Sequence, residues 1–248
     1  MQKGELPVGW ESVIPDFPAD AKGLATRESS SKVLNPIADK IPWFMGGSAD
    51  LGPSTKTYIK EASSFNKENY GGRNFHFGVR EHAMGAIING MSLSKLRAYG
   101  ATFFVFSDYV RPAIRLSSLM KLPVIYIFTH DSIGVGEDGP THQPVEHLAS
   151  LRAMPGLDVI RPSDANELSV MWKYIMGLKD RPVALVLSRQ GMPTLDRTKH
   201  APAEGALKGA YVLIESDGTP DVILIGTGSE IQICLDAYGQ LTSEGLNA

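Results

Sequence analysis

Short apolar runs alternate with longer amphipathic stretches along most of the chain. Short runs bounded by glycine or polar residues are typical of buried strands, and apolar residues three or four positions apart predict helices. The predicted strands cover residues 43–45, 74–77, 98–106, 124–128, 158–160 and 183–187. The predicted helices cover residues 23–36, where a proline ends the pattern, and 80–94, 109–120, 145–153 and 164–177. This alternation predicts an α/β fold with a doubly wound, mostly parallel sheet.

Proline-rich segments divide the chain into two units. Residues 1–22 and 191–207 show no strand or helix periodicity and are predicted linkers, and residues 23–190 between them form one complete domain. One β-α unit follows in residues 208–248 and is too small to bury a core of its own. Its predicted elements are a hairpin-like stretch, a strand, a glycine turn and a helix, at residues 209–216, 222–225, 226–230 and 231–241. We therefore expect the second domain to be cut off within this chain.

Composition and charge exclude several classes of protein. The 248 residues are 43% hydrophobic with a net charge of -3, which is too apolar for a disordered chain and lacks the basic charge typical of nucleic-acid binders. The longest apolar runs, such as residues 122–128, are far shorter than the ~20 residues that span a bilayer. Residues 1–17 lack the apolar core of a secretion signal, and Cys234 alone forms no disulfide framework or zinc-thiolate cluster. We expect a soluble, cytoplasmic protein without nucleic-acid or membrane partners.

The long loop at residues 129–144 carries the densest set of reactive side chains. It follows the most apolar predicted strand and reads THDSIGVGEDGPTHQP. Ligands of open α/β sheets bind beyond the carboxyl ends of strands, glycines let the backbone approach a ligand, and histidines donate to phosphate or exchange protons. The alternatives are a solvated surface loop and a metal site, although the histidine and cysteine spacing of zinc sites is missing.

Two further features have both a structural and a functional interpretation. Glu81, at the start of a predicted helix, is either a solvated first-turn carboxylate or a partly buried one that shares a proton with a ligand nitrogen. The four aromatic side chains of residues 103–109 either belong to the core or form the wall of a pocket for a flat heterocycle. The local pattern does not decide between these interpretations.

Three isolated polar residues lie near predicted element ends. Arg27, Ser54 and Arg189 are each typical of a surface, but two guanidinium groups and a hydroxyl that converge suit a phosphate monoester. The glycine turn at residues 226–230 lacks the full GxGxxG pattern, so a plain tight turn is favoured over a nucleotide-binding one.

Taken together, these segments resemble the transketolase family of thiamine-diphosphate enzymes. The most specific is the loop at residues 129–144, whose DGPTHQ core also occurs in 1-deoxyxylulose-5-phosphate synthase. The resemblance covers nearly the whole chain from Arg27 onward, with a departure at residues 93–97, where this chain is shorter than many members. The other matching segments are GGSADL at 46–51, FGVREH at 77–82, the aromatic run at 103–109 and LSRQ at 187–190.

The resemblance implies roles for the candidate residues. Glu81 matches a catalytic glutamate that hydrogen-bonds the aminopyrimidine ring of thiamine diphosphate and promotes its imino tautomer. Phe106 matches an aromatic that stacks on this ring, Phe103 and Tyr109 complete the pocket, and Asp50 matches an acidic residue of the cofactor region. The residues that match the sugar-phosphate clamp are Arg27, Ser54, His130 and Arg189, and those that match contacts to substrate hydroxyls are Asp138 and His142, the latter also catalytic.

The resemblance also implies a reaction and partners. Transketolases transfer a two-carbon ketol unit from a ketose phosphate to an aldose phosphate, as homodimers in which this domain meets the diphosphate-binding domain of the other subunit. In these enzymes the diphosphate-binding domain holds Mg²⁺, and its motif is not found in this chain. We therefore expect this chain to be a fragment or one part of a split enzyme, to supply no metal ligand, to bind the cofactor weakly and to be inactive alone. The alternatives are dihydroxyacetone synthase, 1-deoxyxylulose-5-phosphate synthase, and a non-catalytic dimerisation or regulatory module on the same fold.

Overall fold

A six-stranded parallel sheet forms the centre of the structure, a computed structural model that describes residues 4–248 apart from the side chain of Glu137. Residues 1–3 of the first predicted linker lie outside the described residues. The strands are β1 (Asp20–Ala25), β2 (Phe44–Ser48), β3 (Asn74–His76), β4 (Arg97–Phe103), β5 (Ile125–Thr129), β6 (Asp158–Ile160), β7 (Val183–Leu187) and β8 (Gly191–Thr194). The helices are α1 (Thr26–Lys40), α2 (Gly52–Thr55), α3 (Glu81–Leu93), α4 (Ser107–Leu119), α5 (His147–Arg152), α6 (Ala165–Gly177) and α7 (Glu230–Ser243). Among the described residues, no helix is both long and apolar enough to cross a membrane.

The predicted parallel α/β fold is confirmed. The strand order is β3-β2-β4-β5-β7-β6, and each neighbouring pair is parallel. Along β5, Ile125 and Ile127 pack with α1 and α6 on one face, whereas Tyr126 and Phe128 pack with α3 and α4 on the other. Because helices cover both faces, the central strands are continuous apolar runs rather than alternating ones.

Three central strands end in register at one edge of the sheet. Phe103 of β4 pairs with Thr129 of β5, and Thr129 pairs with Leu187 of β7. Since parallel strands all run the same way, the segments that leave these three strands begin side by side. Those segments are the aromatic run after β4, the long loop after β5, and Ser188 with Arg189 after β7.

Helix α1 continues past Pro36 to Lys40, so the prediction that the proline ends this helix is wrong. A proline inside a helix removes a backbone hydrogen bond and costs about 3 kcal/mol. Beyond the proline, however, Ile37 and Ile41 are fully buried in the core. Burial of each such side chain contributes about 1.5–3 kcal/mol, which is enough to offset the loss.

Strands β1 and β8 occupy segments assigned above mostly to linkers, and they form an antiparallel pair. Leu24 faces Met192 and Ala25 faces Gly191 across this pair. Gly23, at a φ of 69°, lies so close that an added Cβ would be 2.0 Å from the carbonyl oxygen of Met192. Much of β1 is exposed, so it carries no alternating apolar pattern from which a strand is predicted.

Three other strand predictions need correction. The strand predicted at residues 98–106 ends at Phe103, and Phe104–Phe106 form a 3-10 turn. In the described structure, neither residues 209–216 nor residues 222–225 form a strand. An apolar run becomes a strand only beside a hydrogen-bonding neighbour, and here the N–H groups of Asp221 and Val222 donate to the carbonyl of Asn247 instead. The predicted helix at residues 231–241 is confirmed as α7.

Two glycines of α3 provide a matched test of the packing between α3 and α4. An added Cβ at Gly85 would lie 2.6 Å from Ala113 Cβ and 2.7 Å from Val110 Cγ2, whereas one at Gly90 would meet nothing within 4 Å. We expect Gly85→Ala to lower the free energy of unfolding by about 1–2 kcal/mol because it forces α3 and α4 apart. Gly90→Ala should raise it by about 0.5–1 kcal/mol, since alanine is the better helix former. Urea denaturation measures both, and effects of the same sign would contradict this packing.

Candidate functional site

Aromatic and imidazole rings meet beyond the ends of β4 and β5. The ring centroid of Phe103 lies 3.9 Å from that of His130 and 5.8 Å from that of His142. Phe106 lies 5.4 Å from His142 and 6.0 Å from Tyr109. These five residues form one contiguous group, called the ring cluster below. Its inner end, at Phe103 and His130, is buried, whereas Tyr109 at the outer end is 63% exposed.

The neighbouring Phe104 shows which aromatic belongs to the core. Phe104 is 1% exposed, and its ring lies 5.7 Å from that of Phe128 in the core cluster between the sheet and helices α3 and α4. The structural interpretation of the aromatic run therefore holds for Phe104. Phe106 and Tyr109, in contrast, are not part of either buried core cluster, so they remain available as a pocket wall.

Two arginines and one carboxylate lie beside the ring cluster. Asp138 Oδ2 is 3.7 Å from His130 Nε2 and 3.8 Å from Arg189 Nε. Arg27 donates from Nη1 to the backbone oxygen of Ser54 at 2.9 Å. Burial lowers the pKa of Arg27, and the charge of the nearby Arg189 lowers it as well, while Glu28 and Asp138 act in the opposite direction. Arg27, His130 and Arg189 therefore lie close together, and Ser54 contacts Arg27 through its backbone carbonyl; the role of these residues as a phosphate clamp stays a prediction.

Arg27 also has an unused donor. Its Nε is buried and has no hydrogen-bond partner among the described residues. A buried polar group without a partner is costly, and a charged one more so. An anion bound beside this Nε–H group would supply the hydrogen-bond acceptor that the group lacks.

His130 is held in an uncharged form. Its side chain is nearly inaccessible, and its Nδ1 lies 2.9 Å from Thr129 Oγ1. Burial lowers its pKa to about 4, aided by the charges of Arg27 and Arg189 and opposed by that of Asp138. At neutral pH the ring therefore has one nitrogen that can donate a hydrogen bond and one that can accept one.

Glu81 is buried rather than solvated. It is the first residue of α3 and only 6% exposed, so the interpretation as a solvated first-turn carboxylate is wrong. Its nearest side-chain partner is the hydroxyl of Thr102, which lies 3.4 Å from Glu81 Oε1. Thr102 directly precedes Phe103 on β4, so the same strand positions the carboxylate's partner and the inner end of the ring cluster.

One predicted site residue stands apart. Asp50 follows β2, is exposed, and has a left-handed backbone with a φ of 62°. In the part of the chain that the structure describes, no hydrogen bond or ion pair joins it to another predicted site residue. Its assignment to the cofactor region stays a prediction.

The structure also reveals polar groups that the sequence patterns did not indicate. Asp131, next to His130, pairs with Arg161, which in turn binds the glycine turn before α7. His147 lies 3.2 Å from Asp108 and 3.9 Å from Glu146, in a group whose two carboxylates are exposed. Each partner is far away in the sequence or looks like an ordinary surface charge, so no short motif marks either group.

Comparison with known proteins identifies the family to which this chain is similar. The family model described as "Transketolase, pyrimidine binding domain" matches residues 22–194, and that described as "Transketolase-like TK C-terminal domain" matches residues 209–248. A transketolase of Halalkalibacterium halodurans is 56% identical over 99% of this chain, and the chain spans 37% of that relative's length.

Solved structures agree with the family model. A transketolase of Pichia stipitis in complex with sedoheptulose 7-phosphate superposes with a TM-score of 0.93 at 42% identity, over 98% of this chain and 36% of that one. A split-gene transketolase described as an inactive β4 tetramer superposes with a TM-score of 0.64 at 27% identity, over 90% of this chain and 69% of that one. The chain therefore belongs to the family of the transketolase pyrimidine-binding domain.

Proposed function

We propose that this chain is the pyrimidine-binding part of a transketolase, which transfers a two-carbon ketol unit from a ketose phosphate to an aldose phosphate with thiamine diphosphate. The observation that carries the proposal is the group of side chains beyond the ends of β4, β5 and β7, where the ring cluster lies beside the guanidinium groups of Arg27 and Arg189, and buried Glu81 contacts Thr102, the residue before Phe103. Residues 23–190 would form the domain that holds the ring, and residues 208–248 the start of the C-terminal domain.

The pyrimidine end fits a flat heterocycle with ring nitrogens. Phe103 and Phe106 lie 6.1 Å apart with nearly parallel rings, and Phe106 is free to stack on a ligand ring. Buried Glu81 would hold a proton between its carboxylate and a ring nitrogen, which fixes the ring's tautomer and orientation. Thiamine diphosphate, when bound, supplies the carbon nucleophile of the reaction.

The phosphate end fits a dianion. The unpaired Nε–H of Arg27 and the guanidinium of Arg189 supply positive charge, and neutral His130 supplies a hydrogen-bond donor or acceptor. The side chain of Asp138 lies near both His130 and Arg189, and its oxygens are suited to accept hydrogen bonds from sugar hydroxyls. His142, on the ring cluster, would face the same hydroxyls. This arrangement favours phosphorylated sugars over formaldehyde or other uncharged acceptors.

Mg²⁺ and the diphosphate would be held by the diphosphate-binding domain of a partner subunit in a homodimer. The outer end of the ring cluster, at Tyr109, is exposed to solvent. Nearby elements also expose apolar side chains, namely Val79 before α3, Ile87 on α3 and Leu116 on α4. The split-gene relative, described as an inactive tetramer of one chain type, offers a parallel for a half-site without turnover. The residues present thus fit the organic end of the cofactor and leave its diphosphate to the partner.

The first prediction concerns cofactor binding. We expect this chain alone to bind thiamine diphosphate with Mg²⁺ no more tightly than about 100 μM, because stacking and one carboxylate contribute only about 5 kcal/mol. Isothermal titration calorimetry measures the affinity, with thiamine lacking the diphosphate as the comparison ligand. Similar weak affinities for both ligands are expected, and micromolar binding that depends on the diphosphate would contradict a missing diphosphate site.

The second prediction concerns Glu81 in the enzyme assembled with its diphosphate-binding domain. Glu81→Gln should lower kcat by about 100-fold or more because the side chain can no longer exchange a proton with the ring nitrogen, while KM for the sugar phosphate changes little. Glu68→Gln is the control, since Glu68 is an exposed carboxylate paired only with Lys67. Near-normal kcat in Glu81→Gln would refute the proposed role.

The third prediction concerns the phosphate clamp. Arg189→Gln should raise KM for a phosphorylated ketose by about 10- to 100-fold, the value of one charge-assisted hydrogen bond, and leave KM for the unphosphorylated sugar nearly unchanged. Arg181→Gln serves as the control because this arginine is half-exposed and pairs with Asp158 and Asp180. Equal effects of Arg189→Gln on both sugars would count against a phosphate contact.

A further inference from the structure

A buried ion pair anchors the loop that follows β5. Asp131 comes directly after His130, and its side chain is 1% exposed, while that of Arg161 is 4% exposed. Arg161 Nε and Nη2 lie 2.9 Å and 2.8 Å from the same oxygen, Asp131 Oδ2. A charge-assisted contact with two nitrogens is stronger and more directional than a surface ion pair. The place of Asp131 is therefore set by Arg161.

The other side of the same guanidinium binds the turn before α7. Arg161 Nη1 donates to Thr227 O at 2.9 Å and to its hydroxyl at 3.1 Å, and Nη2 donates to Ser229 Oγ at 3.0 Å. Both terminal nitrogens also bind the carboxylate of Glu230. An added Cβ at Gly228 would lie 2.7 Å from Arg161 Cγ, so the glycine permits this close approach. Arg161, Asp131, Thr227, Ser229 and Glu230 are called the Arg161 network below.

Burial and pairing act in opposite directions on the charged groups of the network, and at Asp131 burial prevails and raises the pKa of the carboxyl above its usual value. Burial alone would lower the pKa of Arg161, but the hydrogen bonds and charges of Glu230 and Asp131 raise it above its usual value. Burial would likewise raise the pKa of Glu230, and Arg161 reverses the effect and holds it below its usual value. Each charge depends on the others, because a lone buried charge would be far more costly than the paired set.

We propose that Arg161 is a positioning residue, through which the C-terminal unit of residues 209–248 holds His130 in place at the phosphate end of the proposed substrate site. His130 has a left-handed backbone with a φ of 67°, a conformation that is uncommon and unfavourable for a residue with a Cβ and is stabilised by contacts of its neighbours. The next residue along the chain is Asp131, fixed by the network. The inference rests on the proposed function, since the phosphate role of His130 belongs to that proposal.

The Arg161 network connects the start of α7, at Glu230, with the loop that carries His130. Glu230 is distant in sequence from His130, and among the described residues its contacts lead to Asp131 through Arg161 and, by a longer hydrogen bond of 3.4 Å, through Ser229. The charged and titratable groups that face His130 are Arg27, Asp138, Arg189 and His142. None of them belongs to the network. A measurable response of His130 to a change at Glu230 therefore reports positioning.

The fourth prediction uses NMR titration of the histidine Cε1–H groups in this chain. In the unchanged chain, His130 should titrate near pH 4. In Glu230→Gln, loss of a negative charge would by itself lower the pKa of His130, whereas release of the loop exposes the ring and raises it. We expect a rise of about one unit or more, of the sign opposite to the direct charge effect. Glu244→Gln, an exposed change next to the same helix, should leave His130 unchanged.

A conservative variant sharpens the test. Arg161→Lys keeps the charge but cannot form the forked contacts, so we expect the pKa of His130 to rise at least as far as in Glu230→Gln. Arg181→Lys is its control, and far-UV circular dichroism reports folding. If Arg161→Lys does not fold, Glu230→Gln decides alone, since it keeps both Arg161 and Asp131 and weakens the hold of α7 on the guanidinium that positions Asp131. A folded Glu230→Gln variant with the His130 titration of the unchanged chain would overturn the proposal.

Titration with inorganic phosphate separates this inference from the proposed function. We expect phosphate to shift the His130 resonance of the unchanged chain, and to do so about tenfold more weakly in Glu230→Gln. Failure of phosphate to reach His130 in the unchanged chain would count against the phosphate site itself. The response of the unliganded His130 to Glu230→Gln would still test the positioning role.

Discussion

The register of β4, β5 and β7 determines where the chemistry of this protein lies. Phe103, Thr129 and Leu187 are paired side by side, so the segments that follow them begin on three neighbouring strands, with about 4.8 Å from each strand to the next. A slip of one residue in any of these strands would turn every side chain to the opposite face. Because both faces of the sheet are buried in apolar clusters, such a slip is strongly disfavoured. The packing of the core thus fixes the geometry of polar groups that do not belong to it.

How far the sequence predicts this structure depends on whether a signal is local. The apolar runs of β5 and β7 and the helix start at Glu81 are local, and the strands and helices they predict are found. Pro36 shows the opposite case, since burial of Ile37 and Ile41 outweighs a local helix-breaking signal. Strands β1 and β8 depend on each other across most of the chain, and neither carries a pattern of its own.

The candidate site divides in the same way. The loop at residues 129–144 is conspicuous in composition, and its histidines do lie on the ring cluster. The convergence of Arg27 with Arg189 follows only from the positions of α1 and β7 in the fold, and their spacing in sequence contains no hint of it. Arg161 is the extreme case. It looks like a surface arginine after a short strand, yet every one of its guanidinium nitrogens is engaged.

The charge state of His130 shows how the fold constrains its chemistry. Burial and the neighbouring arginines lower its pKa from 6.5 to about 4, so between these pH values the unfolded chain binds a proton that the folded chain does not. Acidification through this window therefore destabilises the folded state, and above pH 6.5 the penalty is absent. At neutral pH the ring carries no charge, so in the proposed phosphate site the negative charge of the ligand would be balanced by Arg27 and Arg189. His130 would then orient the phosphate through a hydrogen bond rather than balance its charge. Such a directional contact requires neighbouring residues to fix the backbone of His130.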